Sequence, residues 1–175
     1  YINVNVPIID DLVRVKYTKT EIVQHRDQLQ HEIAREALRI AGIEKKIEII
    51  SIADISAGTG VGSSSCYAVG LLNALHVLKR DYVSLHQLAE EACHLEIDIL
   101  KKPIGKQDQY LATFGGLTVL EIDKDGKVNV RPTKVSYTII DELNRNLLMF
   151  FTGVQRESTD ILKEQSTKVE KNVVE

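Results

Sequence analysis

An α+β fold, in which mixed sheets are packed with helices, is the class this sequence predicts. Alternating, strand-like runs stand at 1–6, 12–17, 46–52 and 117–131, and helical periodicity fills 28–41, 66–78 and 84–100 between them. Part of the strand signal comes as hairpins rather than as the regular strand–helix alternation of a doubly wound sheet. At 175 residues a folded chain typically buries roughly 70% of the surface its unfolded form exposes, enough for a real core. Residues 1–175 read as a single region, with no internal repeat, low-complexity segment or linker.

Taken in order, 1–6 and 12–17 alternate as half-buried strands do, and Pro7 with Asp10 and Asp11 parts them, which fits a hairpin. In 28–41, Leu29, Ile33, Ala37 and Ile40 recur at helical spacing and Gly42 stands where a C-terminal cap belongs, so this is an amphipathic surface helix. The isoleucine-rich segment 46–52 suits a buried strand. Glycine and hydroxyl residues follow at 56–65 and open into a helix over 66–78 that is apolar nearly all round and is expected deep in the domain. Ser84 and Gln87 form a capping box for a helix reaching about Leu100. Pro103 and Gly105 mark a loop, and 107–114 is a short helix stopped by Gly115 and Gly116. The turn 123–126, ending in Gly126, joins strands 117–122 and 127–131 into a hairpin.

A further strand is expected at 147–152, the start of a C-terminal part, and the helical pattern holding Leu162, Val169 and Val173 runs into Glu175 without a glycine or proline stop. The chain also begins with Tyr1 inside a strand-like run, and Met149 is its only methionine. The expectation is the middle portion of a longer protein.

Composition narrows the function. Hydrophobic residues make up 43% and charged residues 27%, an ordinary globular balance that excludes a disordered or fibrous chain. A net charge of -3 gives no basic surplus for nucleic acid, so a small ligand is the expected partner. No apolar run is long enough to cross a bilayer and the start lacks the layout of a signal peptide, which makes the cytoplasm the expected location and excludes a membrane partner. Cys66 and Cys93 match no metal or redox spacing and read as reduced core fillers in helices. Oligomeric state leaves no mark in the sequence.

The glycine-rich loop is the strongest local signal. Gly58, Gly60 and Gly62 remove the side chains that would hold a backbone away from an anion, so N–H groups along Gly58, Thr59, Gly60, Val61 and Gly62 can converge on phosphate. The helix N-terminus that follows favours the same ligand, and Ser63, Ser64 and Ser65 add hydroxyls that can donate to phosphate or join a magnesium shell. This is not a Walker A loop, since no Gly-Lys-Ser/Thr follows. The alternative is a plain strand-to-helix connection whose serines cap the helix.

Two carboxylates are the other candidates. At ~100° per residue, Glu96 falls on the face made by Leu85, Leu88, Ala89, Ala92 and Ile99, where a carboxylate is partly buried and needs a cation, a metal or several donors. A buried salt bridge would meet that need as well as a metal would. His94 and Asp98 point away from Glu96 and form a solvated face rather than a shared ion site. Asp108 opens the short helix after Gly105, close to Lys106. On local grounds it is a first-turn residue favoured by the helix dipole, although a carboxylate there can also project toward a pocket.

The loop 56–65 resembles the Pro-x-Gly-x-Gly-Leu-Gly-Ser-Ser-Ala pattern of the galactokinase, homoserine kinase, mevalonate kinase and phosphomevalonate kinase (GHMP) superfamily. Ser56 replaces the proline, Val61 the leucine and Ser65 the alanine. The resemblance implies that Ser64 and Glu96 coordinate Mg2+, that the loop from Gly58 to Ser65 binds ATP, and that Asp108, in a Gly-x-x-Asp turn with Gly105, faces the substrate hydroxyl as base. These three features stand in the family's order, Asp108 twelve residues after Glu96. Within the superfamily, 105–116, the triple serine and Phe151-Thr152-Gly153 look most like sugar kinases of the heptose 7-phosphate type, which phosphorylate an anomeric hydroxyl; fucose and galactose kinases are similar too. The implied fold is GHMP-kinase-like without its N- and C-terminal parts, because the family's two terminal glycine-rich motifs do not occur here. That absence also admits a rival, a non-catalytic module that binds a nucleotide or sugar phosphate.

Overall fold

Alternation puts Val13 and Val15 on one face of β2 (Val13–Lys16) and Ile47 and Ile49 on one face of β4 (Ile47–Ser51), and all four are buried. The two strands pair in parallel, Val13 beside Ile47 and Val15 beside Ile49, at the centre of a four-stranded sheet. β1 (Ile2–Asn5) joins β4 antiparallel on one edge, and β3 (Thr20–Val23) joins β2 antiparallel on the other, giving the order β1-β4-β2-β3. This computed structural model describes residues 1–55, 58–150 and 153.

The hairpin expected between 1–6 and 12–17 does not form. Both segments are strands, but β4 lies between them, since its apolar face gains most from a central place with a neighbour on each side. The hairpin partner of β2 is β3, which the sequence reading did not pick out.

α1 (Glu32–Ile40) begins four residues later than its periodicity starts, because 26–28 forms a separately capped 3₁₀ turn. His31 caps it, its Nδ1 accepting from the Ala34 N–H at 3.3 Å, and Gly42, at a φ of 69°, ends it in the left-handed region. Its buried face of Ile33, Ala34, Ala37 and Leu38 shares one core with the sheet and with α2 (Ser63–Lys79).

α2 is not apolar all round in its setting. Ala68, Leu71, Leu72 and Leu75 are buried at the i, i+3, i+4 spacing of a single face, whereas Cys66, Asn73 and Val77 are exposed. Cys66 is therefore no core filler, while Cys93 is buried; both thiols are free. Gly70 lets α2 lie close on the sheet, since a Cβ there would stand 3.0 Å from Ile2 Cδ1.

α3 (Leu85–Cys93) carries the expected capping box of Ser84 and Gln87 and runs without a break into a π-helical turn, His94–Ile99. α4 (Gln107–Phe114) ends at Gly115 and Gly116, both with positive φ. The hairpin of β5 (Thr118–Ile122) and β6 (Val128–Pro132) forms a second, two-stranded sheet, and Val128 joins Ala89, Cys93 and Tyr110 in a smaller core. α5 (Tyr137–Arg145), capped by Ser136, was not anticipated and buries none of its residues. No strand covers 147–150. The rest of that expected strand, Phe151 and Thr152, and the helix expected around 162–173 lie outside the described residues. Among the described residues no helix is long and apolar enough to cross a membrane.

His31 gives this fold a pH dependence. It lies between the rings of Tyr17 and Tyr67, at centroid distances of 4.7 and 4.8 Å, and burial there holds its pKa below the ordinary value even against the nearby Glu21. Below about pH 6.5 the unfolded chain takes up a proton that folded His31 resists, so stability is intact above that pH and falls as pH drops through the folded value. The thermal midpoint is expected to fall on acidification below about pH 6.5. His31→Asn, which keeps a capping side chain, should flatten this part of the profile, and an unaltered profile would assign the dependence to another group.

Candidate active site

Gly58, Gly60 and Gly62 have φ of 79°, 79° and 71°, the left-handed region that a side chain disfavours, with Thr59 and Val61 interleaved. Backbones that alternate in this way form concave nests of N–H groups suited to anions. Gly62 is the N-cap of α2, and no side chain caps the first turn that holds Ser63, Ser64 and Ser65. The capping role considered for the serines is thus not what they do, and the helix end keeps its N–H groups and partial positive charge for a ligand.

Two of the serines turn to Glu96 instead. Ser64 donates its hydroxyl to Glu96 Oε1, and Ser65 donates to Oε2 at 2.7 Å. Gln109 Nε2, from α4, donates to the same Oε2 at 2.7 Å, and Lys102 Nζ stands 3.7 Å from Oε1 and 3.2 Å from Ser64 Oγ. Glu96 is 0% exposed, deeper than helical periodicity indicated. The π-helical turn explains the difference: its wider, i to i+5 spacing leaves Ile99 partly in solvent and packs Glu96 inward beside Leu95.

Asp108 occupies the first turn of α4, exposed, with its Cγ 3.2 Å from where a Cβ would sit on Gly62. The loop passes this carboxyl closely because Gly62 has no side chain. Lys106 is not its partner, since the ammonium is held by Glu90 Oε2 at 2.9 Å. His94 and Asp98 pair with each other at 2.9 Å on the exposed side. Desolvation, with the Asp108 and Glu96 carboxylates adding to it, pushes up the thiol pKa of Cys66, one turn into α2, which disfavours its thiolate.

The structure thus brings Ser64, Glu96, Asp108 and the glycines into one place. Gln109 and Lys102, and the turn of Ser65 toward Glu96, escaped the sequence reading. Gln109 carried a usable signal: it precedes the buried Tyr110 on the inward side of α4, and a polar residue there needs a partner, as Glu96 does. A hydroxyl and a carboxylate converging beside a loop whose N–H groups suit an anion form a hard, all-oxygen donor set. It suits Mg2+, which takes few protein ligands and completes its shell with phosphates and water. Among the described residues no group of three or more His, Cys, Asp or Glu offers another ion a site.

Residues 26–116, from the 3₁₀ turn through the loop, Glu96 and Asp108 to Gly116, match the sequence model of the GHMP kinases N terminal domain. The chain belongs to the GHMP kinases. It is 32% identical over 116 residues to the D-glycero-alpha-D-manno-heptose 7-phosphate kinase of Campylobacter jejuni, a match covering 66% of this chain and 34% of that protein. It is 30% identical over 129 residues to the galactokinase of Pyrococcus furiosus, covering 71% and 33%. A crystal structure of a D-glycero-D-manno-heptose 1-phosphate kinase from Bacteroides thetaiotaomicron shares its fold, with a TM-score of 0.72 and 24% identity over 81% of this chain and 50% of that one. This GHMP kinase chain therefore spans about a third of the length of these two curated relatives.

The contact between Gly62 and Asp108 can be tested by comparing two glycines of the loop. Gly60→Ala adds a Cβ that meets nothing within 4 Å, so its cost is the left-handed backbone alone, about 1–2 kcal/mol. Gly62→Ala bears the same backbone cost and must also displace Asp108. Its thermal midpoint is expected to fall further than that of Gly60→Ala, and equal losses would mean that Asp108 does not pack on the loop.

Proposed function

We propose that the full-length protein is an ATP-dependent sugar kinase that transfers the γ-phosphate to the anomeric hydroxyl of a heptose 7-phosphate or a closely related sugar. The observation that carries this reading is the approach of Asp108 to Gly62, which sets a carboxylate against the loop that would hold the phosphates. Support for the heptose comes from the 32% identity with the Campylobacter jejuni enzyme, and the galactokinase match keeps a galactose-type sugar as the second candidate.

In this account 56–65 is the nucleotide loop, and the backbone of Gly58, Thr59, Gly60, Val61 and Gly62, with Ser63 to Ser65, holds the phosphates at the start of α2. Ser64 and Glu96 would hold magnesium, which when bound neutralises charge on the transferring phosphoryl group. Asp108 orients the sugar hydroxyl and accepts its proton as the sugar oxygen bonds to the γ-phosphorus, while the bond to the bridging oxygen breaks and ADP leaves with the electron pair. Catalysis then rests on positioning and charge more than on covalent chemistry. The segment from about 147 would begin the C-terminal part, and the cytoplasm would supply the ATP.

The direct test is ATP consumption by the full-length protein with magnesium, against heptose 7-phosphate, fucose, galactose and no sugar. Turnover on heptose 7-phosphate is expected. Asp108→Asn should lower it by roughly 10²–10⁴-fold and leave ATP affinity near the wild-type value. Near-normal turnover in that variant would remove Asp108 as the base, and ATP binding without turnover on any sugar would favour the non-catalytic module.

A further inference from the structure

Lys102 owes its place to the backbone. After the π-helical turn, Lys101 takes a φ of 54°, unusual for a residue that is not glycine, and the Lys102 N–H returns to the Glu96 carbonyl at 3.0 Å. This doubling back carries the ammonium over the Ser64 and Glu96 side chains, 3.2 Å from Ser64 Oγ and 3.7 Å from Glu96 Oε1. A third oxygen, Glu32 Oε1 at the start of α1, lies 3.2 Å away on the solvent side, its side chain 52% exposed. The hydroxyl of Ser64 donates to Glu96 and accepts from Lys102, so the ammonium faces the two oxygens that the proposed divalent ion would use.

We propose that Lys102 is a resident counter-ion of the Ser64 and Glu96 pair, one that gives up Glu96 and keeps Glu32 when nucleotide and a divalent cation bind. The inference rests on the reading of that pair as the magnesium site. Magnesium takes oxygen ligands at about 2.0–2.1 Å, and an ammonium this close to the same oxygens would meet strong like-charge repulsion. Glu32 is already the nearer carboxylate, so the exchange needs only rotation of a flexible four-carbon stem. Between turnovers Lys102 compensates a buried carboxylate that would otherwise be costly to keep. The same charge sets how much divalent cation the protein needs before it binds nucleotide.

The test is calorimetric ATP binding to the full-length protein, without sugar, over a series of free magnesium concentrations. Lys102→Met keeps much of the apolar stem and removes the charge, and is expected to lower the magnesium midpoint by about fivefold, the scale of a partly exposed ion pair. Glu32→Gln takes away the alternative partner and should raise the midpoint. An unchanged or raised midpoint in Lys102→Met overturns the proposal. Should that variant fail to fold, Glu32→Gln decides alone, because its carboxylate is on the surface, and an unchanged midpoint there overturns the proposal equally. Wild-type protein that binds ATP at no magnesium concentration would instead sink the kinase reading beneath it.

Discussion

A carboxylate with no contact to solvent sets the geometry of this site. Glu96 sits where water cannot solvate it, and its oxygens are met by Ser64 and Ser65 from the start of α2 and by Gln109 from α4. Each such bond to a charged group contributes about 1.5–3 kcal/mol, and an unmet buried charge costs more than a lost neutral bond. These elements are therefore tied to one point. The end of the glycine loop inherits its position from Glu96, because the residues that follow Gly62 are the ones that reach it.

The same anchor aims Asp108. Gln109 is its neighbour in α4, and ~100° of helical rotation separates the two side chains. With Gln109 fixed inward on Glu96, Asp108 is turned outward over Gly62. The Oε1 atom of Gln109 is buried without a partner of its own, so the amide is held from its nitrogen side by the carboxylate. A buried contact and an exposed carboxyl are thus adjacent on one helix, and the bond to Glu96 accounts for a polar residue in the core beside Tyr110.

What the sequence made legible was local. The glycine loop, the Ser84 capping box, the stop at Gly115 and Gly116 and the Asp123–Gly126 turn each follow from a few neighbouring residues, and each stands in the structure. Pairings between distant segments were not legible: β4 displaces the expected hairpin because sheet order depends on competition among strands far apart in the chain. Glu96 was found by a helical wheel that assumes 3.6 residues per turn, and the π-helical turn, which no single residue announces, is what sinks it fully. Nothing in the neighbouring residues singles out Lys102. Its placement depends on the positive φ at Lys101, and its nearer carboxylate is Glu32, seventy residues away, neither of which periodicity records.

The most direct test of Glu96 as the centre of this arrangement is the magnesium dependence of ATP binding in the Glu96→Gln full-length protein. Glutamine keeps the shape and removes the charge. The account predicts a folded protein whose ATP binding needs at least about tenfold more magnesium than wild type, the scale of one lost charge-assisted contact. A folded variant with the wild-type magnesium dependence would contradict it.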